Sequence, residues 1–593
     1  MTNQERFDFL FSMRIEQWMP LRRSLHALFS QHEIDTLQRS ESSFRSGARQ
    51  LVLLAFENRI ASLGGLAPVM KYLPYHLRKN RERVIFVSPF HAGHSGMRSA
   101  LKTGLLEVCF KDSPFRLCAY ESTVTCYRDT SAEIPSYYLA VPDRFSAGEN
   151  PYAYKNQNDL LLDTLVFSAA VPFTLSRLGL TEHVLFHAHD WETAPIAITS
   201  RMAVLSALLC HARTVLTLHN SFDAGFPSSF QQTFFGKEIG GATVLQCTIP
   251  FLNGPLIAVS TPFAAELASD PLQKTFFADH LQTLFSMNPP VGIENGLFGD
   301  ARSPFSSVIL KQADAGNFDR LLVRKRTFKR RFLKALGHIH DKRIIGRLDL
   351  DPHDMTTPVF YMAGRLDFMQ KGFDVMFHAF ERLLRNKAKL LFCPSSRSGR
   401  RRDELAFFRG FAERCNGDIE IWPFKIPRRL YDLFLRGSTF LLMPSLYEPF
   451  GSANEGLMNG TPVVARATGG LWLQVNSVAP VKVPAFYRNL PLTGKNGNPT
   501  GILYREEYPD HLASLEWRDL LELPPSKRRG MPLYESLVDA AHCALLQTIE
   551  IEAQPDKYAA LICNGIREVG KFSWVKAAEK HIQVYDVATN RGI

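Results

Sequence analysis

The sequence has 593 residues, of which 45% are hydrophobic and 21% are charged, and its 69 Lys and Arg against 58 Asp and Glu give a net charge of +11. This composition is typical of a globular chain and excludes a disordered or collagen-like protein. At about 100 to 200 residues per domain, the length predicts two or more domains, each able to bury its own core.

The apolar segments are too short to predict a membrane helix. The segment around residues 160–175 contains Asp163, whereas a span needs about 20 consecutive apolar residues. The N-terminus carries Glu5, Arg6 and Asp8 and lacks the basic stretch and apolar core of a secretory signal. We therefore expect a cytoplasmic protein without a membrane span. The nine cysteines are scattered, without metal or redox spacing, and are expected to be reduced and mostly buried.

The positive charge is concentrated in four runs, at residues 324–331, 400–402, 428–429 and 527–529. Such runs are common on solvated surfaces, and they can also attract a polyanion or nucleotide phosphates. No motif of a nucleic-acid-binding module accompanies them. We therefore predict no nucleic-acid partner.

Short apolar runs of the kind shown by buried parallel strands alternate with helical patterns. The first, residues 50–56, precedes Gly64-Gly65 and a helical pattern over 69–80, which Pro74 is expected to interrupt. Similar runs occur at 84–87, 184–187, 214–217, 256–259, 359–362, 389–392, 419–421, 440–443 and 462–465. This alternation predicts two α/β domains with parallel sheets.

A basic, helix-prone stretch over 310–340 separates the two series of strands. We therefore predict a polar, helix-like appendage (1–48), an N-terminal Rossmann-like domain (49–301) and a C-terminal Rossmann-like domain (302–568). Residues 476–535 are expected to be rich in loops. Paired domains of this type bind ligands at the carboxyl ends of their strands, facing a cleft.

Polar residues follow several of these predicted strands. Gly64 and Gly65 could bring backbone N–H groups close to an anion, although a plain turn explains them equally well. Residues 187–191 (His-Ala-His-Asp-Trp) and 217–220 (Thr-Leu-His-Asn) end two strands. A metal site there is disfavoured because adjacent side chains diverge and no third ligand is suggested. Histidines with a structural role are the alternative.

The second domain carries two further groups of polar residues. In the loop 364–372, Arg365 and Lys371 could hold a diphosphate and neutralise a leaving group, or form a surface pair. Residues 444–455, 460–462 and 466–471 combine a strand-end acid, a helix start able to bind phosphate, and a second acid. Each piece alone is compatible with a capped helix, so only their combination is specific.

Taken in order, these motifs resemble the glycogen and starch synthases, which are retaining glycosyltransferases of the two-Rossmann (GT-B) type. The resemblance spans roughly residues 49–590 and includes 258–262, 292–296 and Phe572-Ser573-Trp574. It implies two Rossmann-like domains facing an interdomain cleft, with a C-terminal helix (569–593) that crosses back onto the first domain.

The resemblance also implies roles for individual residues. Arg365 and Lys371 would clamp the donor diphosphate, and Glu448 would hold hydroxyls of the transferred glucose. His219 would lie beside the anomeric carbon, and Asp190 would shape the acceptor side. Phosphates, sugar and ribose of the donor would be bound by the remaining motif residues, which are Gly451, Ser452, Glu455, Thr468, Gly469 and Gly470.

Several departures from the family mark a divergent member. Ser62 stands where bacterial and plant relatives have a lysine, and Pro68 stands where they have an aspartate. The Glu448 to Gly460 and Glu448 to Glu455 spacings are each one residue shorter than usual, and Trp472 replaces an aspartate that often follows the second Gly-Gly-Leu. The first domain therefore lacks one cationic contact to the donor.

We expect transfer of glucose from a nucleoside diphosphate glucose to the non-reducing end of an α-1,4-glucan, with retention and without a metal or other cofactor. The alternatives are a retaining transferase for another sugar or a small acceptor, and a catalytically weak glucan-binding or regulatory homologue. The sequence leaves open the ADP or UDP base of the donor, the primer, the oligomeric state and the role of residues 1–48.

Overall fold

The structure is a computed structural model that describes residues 3–21, 24–145, 148–299, 302–351, 353–395, 401–488, 490 and 498–590. Arg400, in one predicted basic run, and the end of the predicted C-terminal segment lie outside the described residues. The contacts within the chain define two units. The N-terminal unit comprises Asp8–Ala268, Phe277–Gly296 and Trp574–Ile593; the C-terminal unit comprises Ser269–Phe276 and Leu297–Ser573, with a few residues from the N-terminus.

The N-terminal unit is built on a sheet with nine strands among the described residues. These strands are β1 (Gln50–Leu54), β2 (Arg83–Pro89), β3 (Leu106–Leu117), β4 (Tyr120–Asp129), β5 (Ser136–Ala140), β6 (Val184–His189), β7 (Ala212–Leu218), β8 (Ile257–Ala258) and β9 (Val291–Gly292). Their order in the sheet is β3-β4-β5-β2-β1-β6-β7-β8-β9. The part from β5 through β2 to β9 is parallel, as the apolar runs predict, whereas β3, β4 and β5 pair antiparallel.

Helices cover the sheet of the N-terminal unit. The helices before the C-terminal unit are α1 (Asn3–Gln17), α2 (Leu25–Leu28), α3 (Gln31–Ser42), α4 (Leu66–Lys79), α5 (Ser95–Lys102), α6 (Gln157–Arg177), α7 (Ile196–Leu205), α8 (Ser228–Phe235), α9 (Val244–Thr248), α10 (Thr261–Ser269) and α11 (Gln282–Met287). In the N-terminal segment, Phe11, Ile15 and Trp18 are buried. Residues from Asp8 onward therefore belong to the N-terminal unit.

Two helices of this unit differ from expectation. The predicted interruption at Pro74 is wrong, because α4 continues through it. Burial of one apolar face, including Val69, Leu73 and Leu77, offsets the backbone hydrogen bond that a proline loses. Among the described helices, α6 alone is long and apolar enough to cross a membrane by length and composition, and most of that stretch is buried within the unit.

The C-terminal unit has a second sheet, with seven strands among its described residues. They are β10 (Ile345–Leu348), β11 (Val359–Arg365), β12 (Lys389–Ser395), β13 (Asp418–Ile421), β14 (Phe440–Met443), β15 (Val463–Arg466) and β16 (Gly501–Tyr504). The order is β10-β13-β12-β11-β14-β15-β16, and only β10 is antiparallel to its neighbour. Every apolar run predicted in this unit forms a strand of its parallel part.

The described helices of the C-terminal unit are α12 (Ser307–Asp314), α13 (Asp319–His338), α14 (Phe373–Glu381), α15 (Arg401–Arg414), α16 (Arg428–Gly437), α17 (Ala453–Met458), α18 (Gly469–Gln474), α19 (Asp510–Glu522), α20 (Pro532–Glu552) and α21 (Pro555–Glu568). The loop-rich stretch predicted over 476–535 contains β16 and α19, so that expectation is only partly correct. Of the nine cysteines, all free, five are buried.

The last helix, α22 (Trp574–Asn590), belongs to the N-terminal unit. The ring of Trp574 stacks on Tyr72 with 5.7 Å between centroids. The hydroxyl of Tyr585 lies 2.8 Å from His187 Nδ1, and Arg213 Nη1 donates to the carbonyl oxygen of Ala588 at 2.7 Å. These contacts confirm the C-terminal helix that returns to the first domain.

Candidate active site

In the N-terminal unit, the predicted site residues lie where β6 and β7 end. Asp190 follows β6 and adopts a left-handed backbone conformation, with φ of +61°. Its Oδ1 accepts a hydrogen bond from the backbone N–H of His219 at 2.6 Å, and its Oδ2 accepts one from Asn220 Nδ2 at 3.2 Å. The structure thus brings Asp190 and His219 together, with both carboxylate oxygens of Asp190 engaged in holding the end of β7.

The ring of His219 is held by His189, the last residue of β6. His219 Nε2 lies 2.9 Å from His189 Nδ1. Burial, with a smaller effect of His581, lowers the pKa of His219 to about 3. The imidazole is therefore neutral at physiological pH, and it can offer a hydrogen bond but not a positive charge. His187 and His189 are fully buried, and the partners of their ring nitrogens are the side chains of Tyr585, Thr217 and His219 rather than the backbone.

The glycine loop contains an acid that the sequence interpretation overlooked. Glu57 is buried, and its Oε2 accepts hydrogen bonds from the backbone N–H groups of Leu63 at 2.9 Å and Gly64 at 3.0 Å. Burial raises the pKa of this carboxyl. The amide of Gly64 is therefore already used by the chain itself. An added Cβ on Gly65 would meet no atom within 4 Å, so packing does not require glycine there.

Asp190 gives the stability of the protein a pH dependence. Burial, with a smaller effect of Glu57, raises the pKa of Asp190 to about 7, against the effect of the two N–H donors. The ordinary value in an unfolded chain is about 3.9. The folded state thus binds the additional proton, and the stability it contributes is complete below about pH 4 and lost as pH rises through 7.

We expect Asp190→Asn to flatten this pH dependence, because asparagine does not titrate. The free energy of unfolding, measured by urea denaturation at several values between pH 4 and 8, should fall less steeply in the variant than in the wild type. A difference between the two proteins that stays constant across this range would contradict the raised pKa.

In the C-terminal unit, Arg365 ends β11 and Lys371 closes the loop before α14. Arg365 Nη2 donates to Gln370 Oε1 at 2.6 Å, and its buried Nε has no hydrogen-bond partner among the described residues. Gly372 has φ of +56°, and a Cβ there would lie 2.2 Å from the carbonyl oxygen of Pro444. Only glycine lets this loop pass so close to the end of β14.

This close approach places Lys371 beside Glu448. Lys371 Nζ lies 2.6 Å from Glu448 Oε2, and that oxygen also accepts a hydrogen bond from Ser445 Oγ at 2.7 Å. The two charged side chains are 18% and 9% exposed. The sequence interpretation placed both residues in the site. It did not predict their ion pair or the hydrogen bond that Ser445 donates to Glu448.

Two further glycines hold the backbone around Glu448. Gly451 has φ of +86°, and a Cβ there would lie 2.8 Å from Glu448 Cγ. Gly470 donates its N–H to the carbonyl oxygen of Glu448 at 2.9 Å, and its own Cβ would lie 2.1 Å from the carbonyl oxygen of Phe450. The start of α18 therefore packs directly on the loop that carries Glu448.

The remaining predicted donor residues lie at the starts of α17 and α18. Ser452 is the N-cap of α17 and Thr468 that of α18. The N–H of Gly469 donates to the hydroxyl of Tyr487 at 3.2 Å. Tyr487, another residue that the sequence interpretation missed, stacks on Trp472 at 5.0 Å. The tryptophan that replaces the family's aspartate thus supports the glycine turn.

Glu455, predicted to bind the ribose, lies in the first turn of α17. Its carboxylate is 3.5 Å from Arg428 Nη1 and interacts with Tyr431, and burial raises its pKa. Within the described part of the chain, no group of three or more His, Cys, Asp or Glu side chains could hold a metal ion.

Models of known protein families match a part of each unit. The family model of the starch synthase catalytic domain matches residues 50–246, and that of the group 1 glycosyl transferases matches residues 351–477. A glycogen synthase of Photobacterium profundum is 25% identical over 439 residues, which cover 69% of this chain and 78% of the relative. One of Bacillus cereus (strain ZK / E33L) is 27% identical over 347 residues, or 57% of this chain and 67% of the relative.

Among solved structures, the catalytic domain of starch synthase IV from Arabidopsis thaliana, bound to ADP and acarbose, is similar to this protein. Its TM-score is 0.66 at 18% identity, over 91% of this chain and 99% of that chain. This likeness shows the GT-B fold. The two family models matched in order, together with glycogen synthases of 25 to 27% identity as relatives, support the assignment of the chain as a divergent member of the glycogen and starch synthase family.

Proposed function

We propose that the protein transfers glucose from a nucleoside diphosphate glucose to the non-reducing end of an α-1,4-glucan, with retention, in the cytoplasm. The observation that carries this proposal is the Lys371–Glu448 pair, because it sets a phosphate-binding cation beside a carboxylate suited to sugar hydroxyls. The family's glucosyl transfer supports the reaction, and the roles of individual residues are part of the proposal.

The donor diphosphate is held by Arg365 and Lys371. Gln370 orients the guanidinium of Arg365, whose other N–H groups are directed to the phosphate oxygens. Lys371 exchanges its contact with Glu448 for the diphosphate, and Glu448, still held by Ser445, turns to the glucose hydroxyls. After this exchange, Lys371 sets a positive charge where the leaving group gains negative charge.

The backbone at the helix starts completes the donor site. Gly451 and Ser452 donate to the phosphates at the start of α17, and Thr468 does so at the start of α18. The N–H groups of Gly469 and Gly470, which donate to the hydroxyl of Tyr487 and the carbonyl oxygen of Glu448, exchange these contacts for phosphate and sugar when the donor binds. Glu455 accepts from the ribose hydroxyls. In the N-terminal unit, the N–H of Gly65 is directed to the donor, since that of Gly64 is held by Glu57.

The reaction needs no protein nucleophile and no metal ion. The diphosphate leaves with its charge met by Arg365 and Lys371, and the acceptor hydroxyl attacks from the same face while its proton passes to the departing oxygen. The neutral His219 contributes hydrogen bonds beside the anomeric carbon. Asp190, both of whose oxygens hold the backbone and side chain of the next loop, acts as a positioning residue for His219 and Asn220.

A nucleotide-release assay with and without glycogen, run in excess chelator with ADP-glucose and UDP-glucose, tests the proposal. Release that depends on glycogen is expected. Release only with another acceptor would indicate a different transferase, no release would indicate a regulatory homologue, and rescue by a divalent ion would contradict the metal-free mechanism. The donor with the correct base should also raise the melting temperature, because it binds only the folded protein.

The exposed Ser62 permits a gain-of-function prediction. Ser62→Lys should lower the donor KM, because it restores a positive charge to a glycine loop that is held on the buried carboxyl group of Glu57. If the transition state gains more than the ground state, kcat also rises. Ser62→Gln is the matched neutral control. Unchanged donor KM and kcat in folded Ser62→Lys would show that residue 62 does not face the phosphates.

A further inference from the structure

The basic run at 324–331 has no part in the proposed reaction. It lies on α13, and two of its lysines are buried, with Lys325 5% and Lys329 6% exposed. Lysine is almost never buried so completely unless it is paired. Among the described residues, however, no carboxylate lies within ion-pair distance of Lys325 or Lys329, so the question is what balances their charge.

Burial, with a smaller effect of Lys329, lowers the pKa of Lys325 well below its usual range, but the hydrogen bonds of Lys325 are those of the charged form. Its Nζ contacts the carbonyl oxygens of Arg436 at 3.0 Å and Gly460 at 2.8 Å, and Thr461 Oγ1 at 2.9 Å. The hydroxyl of Thr461 donates its only proton to the carbonyl oxygen of Leu435, so it must accept from Lys325. Three acceptors need three N–H groups, and only the ammonium form supplies them.

Lys329, one helical turn further along, is held in a similar way. Its Nζ donates to the carbonyl oxygens of Met355 at 3.0 Å and Thr357 at 2.7 Å. An ammonium group has a third N–H, and neither carbonyl takes it. Both lysines, together with Arg326, line one cavity of about 70 Å³.

The walls of this cavity carry more positive than negative charge. Its other lining residues are Leu322, Met355, Gly437, Thr439, Glu552, Pro555 and Tyr558, so Glu552 is its only carboxyl group. Glu552 is not within 4 Å of any of the three cations. Asp354 also acts electrostatically on Lys329, so three basic groups face two acids. They leave a net positive charge inside a partly enclosed space, where the electrostatic attraction of an anion is strong.

We propose that this cavity binds a small inorganic oxyanion of the phosphate or sulfate type, with Lys329 and Arg326 as donors and Lys325 as an additional positive charge. The cavity is well below the roughly 300 to 1,000 Å³ of sites for larger organic ligands, which excludes a sugar phosphate or a nucleotide. The site is independent of the proposed reaction and is formed entirely by the C-terminal unit.

The position of the cavity also predicts which part of the C-terminal unit a bound anion stabilises. Lys325 joins α13 to Gly460 and Thr461, which follow α17, the helix that carries Glu455. An anion held by Lys329 and Arg326 offsets the buried charge of Lys325 and so stabilises this connection. We therefore expect binding to raise the melting temperature of the protein rather than to be required for glucosyl transfer.

Calorimetric titration with sodium phosphate and sodium sulfate, at ionic strength kept constant with sodium chloride, tests the proposal. Because oxyanions can also bind at Arg365 and Lys371, the titrations are done in the Lys371→Met background. Saturable binding and a rise in melting temperature are expected. Arg326→Gln and Lys329→Gln should each weaken binding at least tenfold, whereas Lys334→Gln, which removes an exposed cation from the same helix, should leave it unchanged.

Glu552→Gln provides a test of opposite sign. It removes the one carboxylate of the cavity at nearly constant shape, so it should tighten oxyanion binding severalfold. Weaker binding in Glu552→Gln, unchanged binding in Arg326→Gln, or the absence of saturable binding in the Lys371→Met background would each overturn the proposal. If Lys329→Gln does not fold, Arg326→Gln and Glu552→Gln decide between these outcomes.

Discussion

Lys371→Met should lower kcat/KM for glucosyl transfer by about 10²- to 10³-fold, which corresponds to about 3 to 4 kcal/mol of lost transition-state stabilisation. The charge of Lys371 is needed most when the diphosphate leaves. Methionine is one heavy atom shorter than lysine and keeps most of its apolar volume, but it removes the charge and the N–H donors. The loss should appear mainly in kcat, since an interaction made in the transition state changes kcat more than KM.

The same variant should also reduce stability, because it leaves Glu448, with a side chain only 9% exposed, without its ion-pair partner. Initial rates over a range of donor concentrations, together with urea denaturation, separate the two effects. Lys527→Met, at an exposed lysine of the same unit, is the control and should change neither. Near-normal turnover in a folded Lys371→Met protein would show that Lys371 does not contact the leaving group.

The parallel cores of both sheets are predictable from the sequence because buried parallel strands are short, continuous apolar runs. β1, β6 and β7 have no exposed residue, and each coincides with a predicted run. A strand that is buried on both faces needs apolar residues at every position, so it appears in the sequence as a continuous apolar run.

The antiparallel edge of the first sheet has no such signal. Most residues of β3 are exposed, and Pro114 lies within it. A proline normally argues against a strand, but an edge strand tolerates it because one side of its backbone lacks a partner. The short β16 was also missed, since its neighbours in sequence are rich in Pro and Gly and only its pairing with β15 defines it.

The positions of the site motifs follow from the sequence, but their contacts do not. Lys371 and Glu448 are separated by 77 residues, and nothing in either motif indicates that they pair. Glu57 is similar: an acid after a strand is common, and its use of the N–H of Gly64 depends on how the loop turns back. Partners of this kind are set by the packing of loops on one another.

Gly372→Ala should destabilise the C-terminal unit by about 2 to 5 kcal/mol and abolish most activity. Part of this cost, about 1 to 2 kcal/mol, comes from placing a side chain in the left-handed conformation, with φ of +56°. The rest, about 1 to 3 kcal/mol, comes from overlap with the carbonyl oxygen of Pro444, only 2.2 Å from the added Cβ. The loop must move away from β14, and Lys371 moves with it.

Gly316→Ala separates these two contributions. Gly316 has a similar conformation, with φ of +82°, but an added Cβ would meet no atom within 4 Å. This control should therefore lose only the conformational part, about 1 to 2 kcal/mol, and keep full activity. Urea denaturation and initial rates of both variants decide the matter. Because a displacement of about 1 Å at a reacting group costs about 100-fold in rate, wild-type activity in Gly372→Ala would show that the position of this loop does not control the placement of Lys371.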